Sequence, residues 1–182
     1  MEETIIRRAQ MGDQRAFQQL TELYHDIAWR TARVLLSERT VAEDALQDAW
    51  LDVWRGLPRF QIYRPFRPWL LTIIANRCRM TARRQNITTV PLVDSSEVDG
   101  LFSTDDVLKY VLHQERGVEL QAALIMLPSE QQRVLGLRFF AELELNEIAL
   151  VMAIPVGTVK SRLHRALTAL RTHFQVTSRV GG

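Results

Sequence analysis

The chain has 182 residues, of which 47% are hydrophobic and 24% are charged, and its formal net charge is +2. This length accommodates one domain or two small ones. The single cysteine, Cys78, excludes an intrachain disulfide and a cysteine-based zinc site, and the four histidines lack metal-ligand spacing. No apolar run approaches the roughly 20 residues that span a bilayer, and nothing resembles a signal peptide, so we expect a cytoplasmic protein.

Features typical of enzymes are absent from the sequence. It contains no Gly-rich phosphate loop, no nucleophile elbow and no pair of catalytic carboxylates. We therefore expect no catalytic activity, no cofactor, no bound metal and no small-molecule substrate. Cys78 is expected to be a small buried apolar residue.

The small net charge hides a strong segregation of charge along the chain. Residues 55–84 hold eight Arg and no acid, and residues 155–182 hold five basic residues and no acid. The remaining segments are net acidic, with −4 in residues 1–54, −4 in residues 85–117 and −3 in residues 118–154. Two cationic blocks separated by acidic sequence predict two contacts with a polyanion.

Helical periodicity runs through most of the chain, and strand signals are nearly absent, which predicts an all-α protein. The N-terminal residues suit one or two helices with a break at Gly12-Asp13, and a further helix continues to about Leu36. The helix predicted over residues 41–57 ends before Pro58, because the residue before a proline avoids the α region.

A short loop is predicted between Pro65 and Pro68, followed by a helix over residues 69–84. Beyond it the helical period is lost and Thr, Ser and Pro increase, which predicts a flexible linker; residues 106–112 suit a short helix within it. A second helical unit follows, in which Pro128 suits the start of a helix. The predicted organisation is two small helical domains at residues 1–85 and 117–176, a flexible linker at residues 86–116, and a disordered tail at residues 177–182.

The most informative segment is residues 155–171, read as a helix at about 100° per residue. One side is apolar and consists of Val159, Leu163, Ala166, Leu167, Leu170 and Phe174. The other side is basic and hydrogen-bonding and consists of Lys160, Ser161, His164, Arg165, Thr168 and Arg171. With a shorter amphipathic helix at residues 145–152 and a tight turn before Pro155, this pattern predicts a helix-turn-helix. The absence of acids favours a nucleic-acid contact over a plain solvated face, which usually mixes signs.

The helix predicted over residues 41–57 also has two distinct faces. Its buried stripe consists of Leu46, Trp50, Val53 and Leu57. The opposite face carries Asp44, Gln47, Asp48, Leu51, Asp52 and Arg55. An exposed leucine surrounded by charged side chains is typical of a docking surface, because an apolar anchor sits within a charged rim. The alternative is a plain solvated face.

The cationic block of residues 55–84 also contains Phe60, Tyr63, Phe66 and Trp69. Arginine supplies phosphate contacts, and aromatic rings can stack on unpaired bases, so the combination suits a single nucleic-acid strand. Trp69 is expected to pack in the core rather than to stack on a base.

Three segments together resemble the bacterial sigma factors of the extracytoplasmic-function class. EDALQDAWLDVWRGLPRF, residues 43–60, is similar to region 2.2, and FRPWLLTIIANRCRMTARR, residues 66–84, is similar to regions 2.3 and 2.4. The segment from LPSEQQ to ALTALR, residues 127–171, is similar to region 4. The resemblance implies two helical domains, called σ2 and σ4, that bind the β′ and β subunits of core RNA polymerase and promoter DNA.

The resemblance also implies roles for individual residues. The side chains that grip the β′ coiled coil are Asp44, Gln47, Asp48, Leu51 and Asp52. The melted minus-ten element is bound by the loop before Trp69 and the following helix, through Arg64, Arg67, Asn76, Arg77, Arg79, Arg83 and Arg84. An asparagine suits a flipped base, since its amide offers donors and an acceptor. The minus-thirty-five element is recognised by Lys160, Ser161, His164 and Arg165, with Thr158 and Arg162 on the DNA backbone.

Two positions depart from the family pattern. Glu144 occupies the place of a Ser or Thr helix cap, so a weak cap is expected there. Ala153 occupies a turn position where Gly is common, which is unfavourable if the backbone has a positive φ.

We expect no fused sensor domain after region 4, so the resemblance implies a separate anti-sigma factor. In this class it is often membrane-anchored, and it would then hold the protein at the inner face of the membrane. Leu51 and the surfaces around Leu137 and Phe140 are candidate contacts for it, although Leu137 and Phe140 themselves are expected to lie in the core. Two alternative functions are an operator-binding helix-turn-helix regulator and a non-catalytic helical protein–protein adaptor. The first leaves residues 55–84 and the acidic helix unexplained, and in the second the basic patches would only make the protein soluble.

Overall fold

The computed structural model describes residues 1–84 and 123–180, with side chains as far as residue 174. Every regular element in these ranges is helical, and the chain divides into two compact units, Met1–Thr88 and Thr89–Gly182. The predicted fold class, two small helical domains, is therefore confirmed. The predicted linker and the short helix at residues 106–112 lie outside the described residues.

The first unit is a bundle of four helices. They are α1 (Glu2–Gln10), α2 (Gln14–Leu35), α3 (Arg39–Gly56) and α4 (Phe66–Arg84), with a short 3₁₀ helix at Leu57–Arg59. Helices α2, α3 and α4 pack against one another, and α1 packs on α2. The largest side chains that are fully buried in this bundle are Leu20, Val34, Leu36, Val53, Leu57, Phe66, Leu70, Leu71 and Ile74.

The predicted break between α1 and α2 lies at Gly12 and Asp13. Gly12 has a φ of +87°, a conformation that glycine adopts without steric cost. The Asp13 carboxylate caps α2 by accepting a hydrogen bond from the backbone N–H of Ala16 at 3.1 Å, and it pairs with Arg8 at 2.6 Å. The Ala16 N–H and the Arg8 guanidinium hold the pKa of Asp13 below its usual value.

The helix boundaries around the prolines differ from the prediction. Helix α4 begins at Phe66 rather than at Trp69, because Pro68 lies in its first turn, where the missing N–H would have had no helical partner. A Cβ atom on Gly56, at the end of α3, would lie 3.2 Å from Cζ2 of Trp69, so glycine allows this indole to pack closely. Trp69 also contacts Phe60, with ring centroids 4.8 Å apart, and its predicted packing role is confirmed.

The second unit contains the predicted helix-turn-helix. Its helices are α5 (Ser129–Leu135), which continues into a π-helical turn at Gly136–Phe140, α6 (Leu145–Met152) and α7 (Val156–Val180). Its fully buried side chains include Val134, Leu137, Leu143, Ile148, Val159 and Ala166. Leu137 therefore belongs to the core, as expected from the sequence. Phe140 is half-buried.

The start of α6 is better capped than its sequence suggests. The buried Glu147 carboxylate accepts a hydrogen bond from the backbone N–H of Glu144 at 2.9 Å, so the residue three positions later supplies the cap. The preceding turn is held by Arg138, which donates to the carbonyl of Leu143 at 2.9 Å. Glu142 in this turn has a φ of 55°, a strained position that sequence analysis did not identify.

Helix α7 continues beyond its predicted end. It extends to Val180, so the disordered tail predicted from residue 177 is wrong for residues 177–180. The physical reason is that no glycine or proline occurs between Gly157 and Gly181, so nothing in this stretch stops a helix.

Ala153 provides a test of backbone strain in the turn between α6 and α7. Its φ of 55° and ψ of 45° are left-handed, as the sequence comparison anticipated. We expect Ala153→Gly to raise the free energy of unfolding of the second unit by about 1 kcal/mol, because glycine removes the steric penalty. Gly12→Ala is the matched control in the first unit, where an added Cβ would meet no atom within 4 Å and only backbone strain is introduced. Urea unfolding would measure both changes, and a destabilised Ala153→Gly variant would contradict the prediction.

Candidate functional site: an acidic face and two cationic helix faces

Helix α3 presents the predicted docking face, defined here as Asp44, Gln47, Asp48, Leu51 and Asp52. The opposite side of the helix is buried against α2 and α4 through Val41, Ala42, Ala45, Leu46, Ala49 and Val53. The Leu51 side chain is 53% exposed, although leucine usually lies in a core. An apolar side chain at the centre of an acidic helix face can anchor a basic helical partner.

Asp52 differs from its neighbours in the docking face because it is half-buried against α4. The Arg77 guanidinium donates to Asp52 through both Nε and Nη2, with Nε 2.9 Å from Oδ2. Its Nη1 lies 3.5 Å from Asp48 Oδ2. The hydrogen bond to Asp52, with the negative charges of Asp52 and Asp48, raises the pKa of Arg77. Arg77, which the family resemblance places on phosphate, therefore points toward α3.

The exposed side of α4, called the α4 face, consists of Asn76, Met80, Arg83 and Arg84. Arg79 is half-buried, and its Nη1 lies 3.4 Å from Oδ1 of Asn76. Arg67 is half-buried at the start of the helix, and Arg64 is exposed in the preceding loop. The α4 face combines one amide with two solvent-exposed guanidinium groups, which suits a base contact flanked by phosphates.

The loop before α4 contains a candidate that sequence analysis did not single out. Tyr63 is 77% exposed, whereas Phe60 and Phe66 are buried and Trp69 is half-buried. Its hydroxyl donates to Gln61 at 2.7 Å, which orients the ring outside the core. In the sequence, Tyr63 differs from the other aromatic residues of this block only in lying between two helices, outside the apolar stripe of each.

The start of this loop is connected to α1. The Gln10 side-chain amide donates to the carbonyls of Leu57 and Phe60, at 3.0 and 2.8 Å. These two bonds satisfy acceptors at the 3₁₀ helix and hold the entry to the loop against the bundle.

The exposed side of α7, called the α7 face, consists of Lys160, Ser161, His164 and Arg165. The opposite side is buried through Val159, Ala166 and Leu170, so the predicted apolar and polar sides are confirmed. Thr158 is half-buried, and its carbonyl accepts a hydrogen bond from the Ser161 hydroxyl at 3.0 Å. No acid occurs in α7, so the only formal charges on this face are the positive charges of Lys160 and Arg165.

Arg162 turns away from the α7 face. Its Nη1 donates to Glu130 Oε2 at 2.6 Å, and the other oxygen of Glu130 accepts from Arg133 at 3.2 Å. The Arg162 side chain is half-buried, and Glu130 lies in the first turn of α5. This ion pair connects α7 to α5, so Arg162 has a packing partner in addition to the DNA backbone contact that the family resemblance implies.

The remaining chemical groups do not suggest a second site. Burial raises the pKa of the Cys78 thiol to about 12, so the thiol stays protonated and unreactive. Residues 1–84 and 123–180 contain no group of three or more His, Cys, Asp or Glu side chains placed to hold a metal ion. Within the same residues, no helix has the length and apolar character needed to cross a membrane.

An acidic docking face beside a cationic helix, with a helix-turn-helix in the second unit, defines a two-domain all-helical protein with strongly segregated surface charge. The family model of sigma-70 region 2 matches residues 20–87, and that of sigma-70 region 4 matches residues 123–172. The chain belongs to the sigma factors of bacterial RNA polymerase, in the extracytoplasmic-function class.

Similar curated proteins support this class over nearly the whole chain. The chain is 30% identical to the ECF sigma factor SigW of Bacillus subtilis, covering 93% of this chain and 95% of that protein. It is also 30% identical to the sigma-H factor of Pseudomonas aeruginosa (96% and 94% covered) and to the ECF sigma-E factor of Escherichia coli K12 (96% and 94%). The operator-binding regulator and the adaptor are therefore not favoured.

Solved structures share the fold. CnrH, solved in complex with the cytosolic domain of CnrY, superposes with a TM-score of 0.64 at 23% identity, covering 96% of this chain and 97% of that one. RpoE of Bartonella quintana, solved with the anti-sigma factor NepR, superposes with a TM-score of 0.57 at 22% identity, covering 88% and 97%.

Proposed function

We propose that this sigma factor binds core RNA polymerase through the docking face of α3 and directs it to promoters that the α4 and α7 faces recognise. The observation that carries the proposal is the exposed Leu51, surrounded by carboxylates, on the helix that packs against the cationic α4. One rigid unit thereby joins a surface for a basic protein partner to a surface for a nucleic-acid strand. The family is one of non-catalytic transcription factors, so both surfaces act by binding.

The docking face is proposed to contact the β′ coiled coil of polymerase, with further contacts to the β subunit. Leu51 would supply the buried apolar anchor, and Asp44, Gln47 and Asp48 would form the polar rim around it. Asp48 is about half-exposed, so a basic partner can approach it directly. The rim carboxylates would also accelerate association with a basic surface, an effect that falls with ionic strength.

The α4 face is proposed to hold the melted minus-ten element. Asn76 would hydrogen-bond an unstacked base, while Arg83 and Arg84 bind the phosphates on either side. Tyr63 offers an exposed ring at the preceding loop, where it can stack on a neighbouring base. Arg64 lies one residue further along and would add a phosphate contact. Opening would then follow from trapping bases that leave the stack.

The α7 face is proposed to recognise the minus-thirty-five element in the major groove. Lys160 and Arg165 carry the donors that suit guanine, and Ser161 and His164 can contact either bases or phosphates. Thr158, near the N-terminal end of the same helix, is placed to contact the DNA backbone.

Control by an anti-sigma factor is also proposed. The solved neighbours CnrH and RpoE are described in complex with CnrY and with the anti-sigma factor NepR, respectively. An inhibitor that covers Leu51 and the surrounding carboxylates would block polymerase with few contacts. A membrane-anchored inhibitor would hold this protein in the cytoplasm at the inner face of the membrane.

Polymerase binding by the docking face can be tested with a double substitution. Asp48→Arg combined with Leu51→Ala should abolish holoenzyme formation and run-off transcription, because it reverses a rim charge and removes the anchor, while helicity by circular dichroism stays unchanged. The matched control is Glu22→Arg with Leu23→Ala, which makes the same two changes on the exposed side of α2 and should behave as wild type. Co-purification of the α3 variant with core polymerase at wild-type yield would refute the proposal.

The second prediction tests the two DNA faces. Lys160→Ala or Arg165→Ala should weaken promoter binding by holoenzyme by about 1–3 kcal/mol if the side chain contacts a base. Asn76→Ala should preserve the closed complex and impair opening, because its contact forms only after melting. Arg15→Ala, a charge removed from α2, is the control for general electrostatics. Permanganate footprints of Asn76→Ala that match wild type would contradict the role of the amide.

The third prediction tests control. A tagged chain should capture a second protein from native lysate, and core polymerase should compete with that protein, because both need the docking face. Leu51→Ala should weaken capture of the inhibitor and of polymerase together. If polymerase is the only stable partner and activity follows expression level alone, the anti-sigma proposal is wrong for this chain.

A further inference from the structure

Arg77 is the side chain that connects the α4 face to the docking face. It lies on α4, next to the exposed Asn76, but its guanidinium is directed at two carboxylates of α3. Only 17% of the side chain is exposed, whereas Arg83 and Arg84 on the same helix are exposed. Its environment is therefore that of a packing contact between two helices.

We propose that Arg77 is a positioning residue, which fixes the placement of Asn76 relative to the polymerase-docking face and does not itself contact DNA. The proposal rests on the function proposed above, because it assigns the contact that joins its two surfaces. It replaces the phosphate contact that the family resemblance implies for this position.

The geometry favours a positional role. Asp48 and Asp52 lie four residues apart, on the same side of α3 and one turn from each other. A guanidinium is planar, and here Nε and Nη2 bond to Asp52 while Nη1 approaches Asp48. Contacts from one rigid plane to two successive turns restrict both the rotation of α4 and its shift along α3.

The same contacts leave Arg77 poorly placed for phosphate. Nε, Nη2 and Nη1 each face a carboxylate of α3, so a phosphate could reach only the remaining N–H groups, beside two negative charges that repel it. Asn76 is exposed, whereas the Arg77 side chain is only 17% exposed and faces α3, so Arg77 does not share the outward direction of Asn76. Cys78, the next residue, is buried on the core side of the helix.

Charge adds a consequence that a purely structural role would not have. Arg77 offsets part of the negative charge of Asp48 and Asp52, which belong to the docking face. Removing Arg77 should therefore leave association with a basic polymerase surface unchanged or stronger, while base capture by α4 becomes weaker. A variant that merely destabilised the bundle would lower both.

The experiment compares Arg77→Met with Asp52→Asn. Holoenzyme is assembled at saturating core polymerase, and two quantities are measured: the rate of promoter opening and the affinity for a single-stranded minus-ten oligonucleotide. We expect both variants to lose about fivefold or more in the opening rate and in the oligonucleotide affinity. Arg77→Met should keep holoenzyme formation within twofold of wild type. Asp52→Asn also removes a carboxylate of the docking face, so its opening rate is compared only at saturating core polymerase. Glu43→Gln, an exposed carboxylate elsewhere on α3, is the matched control for loss of one negative charge and should behave as wild type.

Asp52→Asn distinguishes positioning from phosphate binding by the sign of its effect. If Arg77 bound phosphate, release from Asp52 would strengthen oligonucleotide binding. Salt titration provides a second criterion: Arg83→Met should reduce the slope of log affinity against log salt by about 0.7, the value for one phosphate on a single strand, and Arg77→Met should leave it unchanged. The proposal would be overturned if Asp52→Asn bound the oligonucleotide more tightly than wild type. It would also be overturned if Arg77→Met reduced the slope of log affinity against log salt.

Two further measurements keep the outcome interpretable. Exchanging the charges, with Arg77→Asp and Asp52→Arg in one chain, should restore part of the opening rate. In the free chain, the Asn76 side-chain amide resonances should shift alike in Arg77→Met and Asp52→Asn and stay in place in Glu43→Gln. If the wild-type chain forms no holoenzyme, the proposed function is wrong. Asn76 amide resonances that do not shift in Arg77→Met and Asp52→Asn would separately refute the positioning role.

Discussion

The packing of α3 against α4 is the contact on which the first unit depends. Both helices bury one side in the same core, and each exposes a different chemistry on the other: carboxylates around a leucine on α3, and an amide with arginines on α4. Because the core holds the two helices in a fixed relation, contacts made by one surface position the other. The ionic contact through Arg77 extends this relation from the apolar core to the edge of both surfaces.

This arrangement suits the proposed opening of DNA by binding contacts. Unstacking a base costs a few kcal/mol, and that cost must be offset by contacts made only with the melted strand. A rigid α4 offers those contacts without paying for the ordering of a mobile segment at the moment of binding. In the second unit, the ion pair of Arg162 with Glu130 holds α7 against α5 in a comparable way.

Sequence periodicity was sufficient to predict the helices, their buried sides and the exposed acids and bases, because burial on one side of a helix repeats at a local spacing. Asp44, Leu51 and Lys160 lie on the exposed sides that this spacing predicts. The partners of Arg77 and Arg162 could not be predicted, since Asp52 and Glu130 are distant in sequence and become neighbours only through packing. Ala153 was identified by comparison with a familiar turn, while Glu142 carried no comparable signal.

Cys78 has a practical consequence for anyone who studies this sigma factor. It is the one cysteine of the chain, it lies on the core side of α4, and its thiol is protonated and shielded from solvent. An alkylating reagent can reach it only when the bundle opens, so under conditions where reclosing is faster than alkylation the labelling rate reports the population of the open state. A partner that binds only the closed first unit would lower the population of the open state by mass action and so slow the labelling. The labelling rate of Cys78 would therefore measure complex formation.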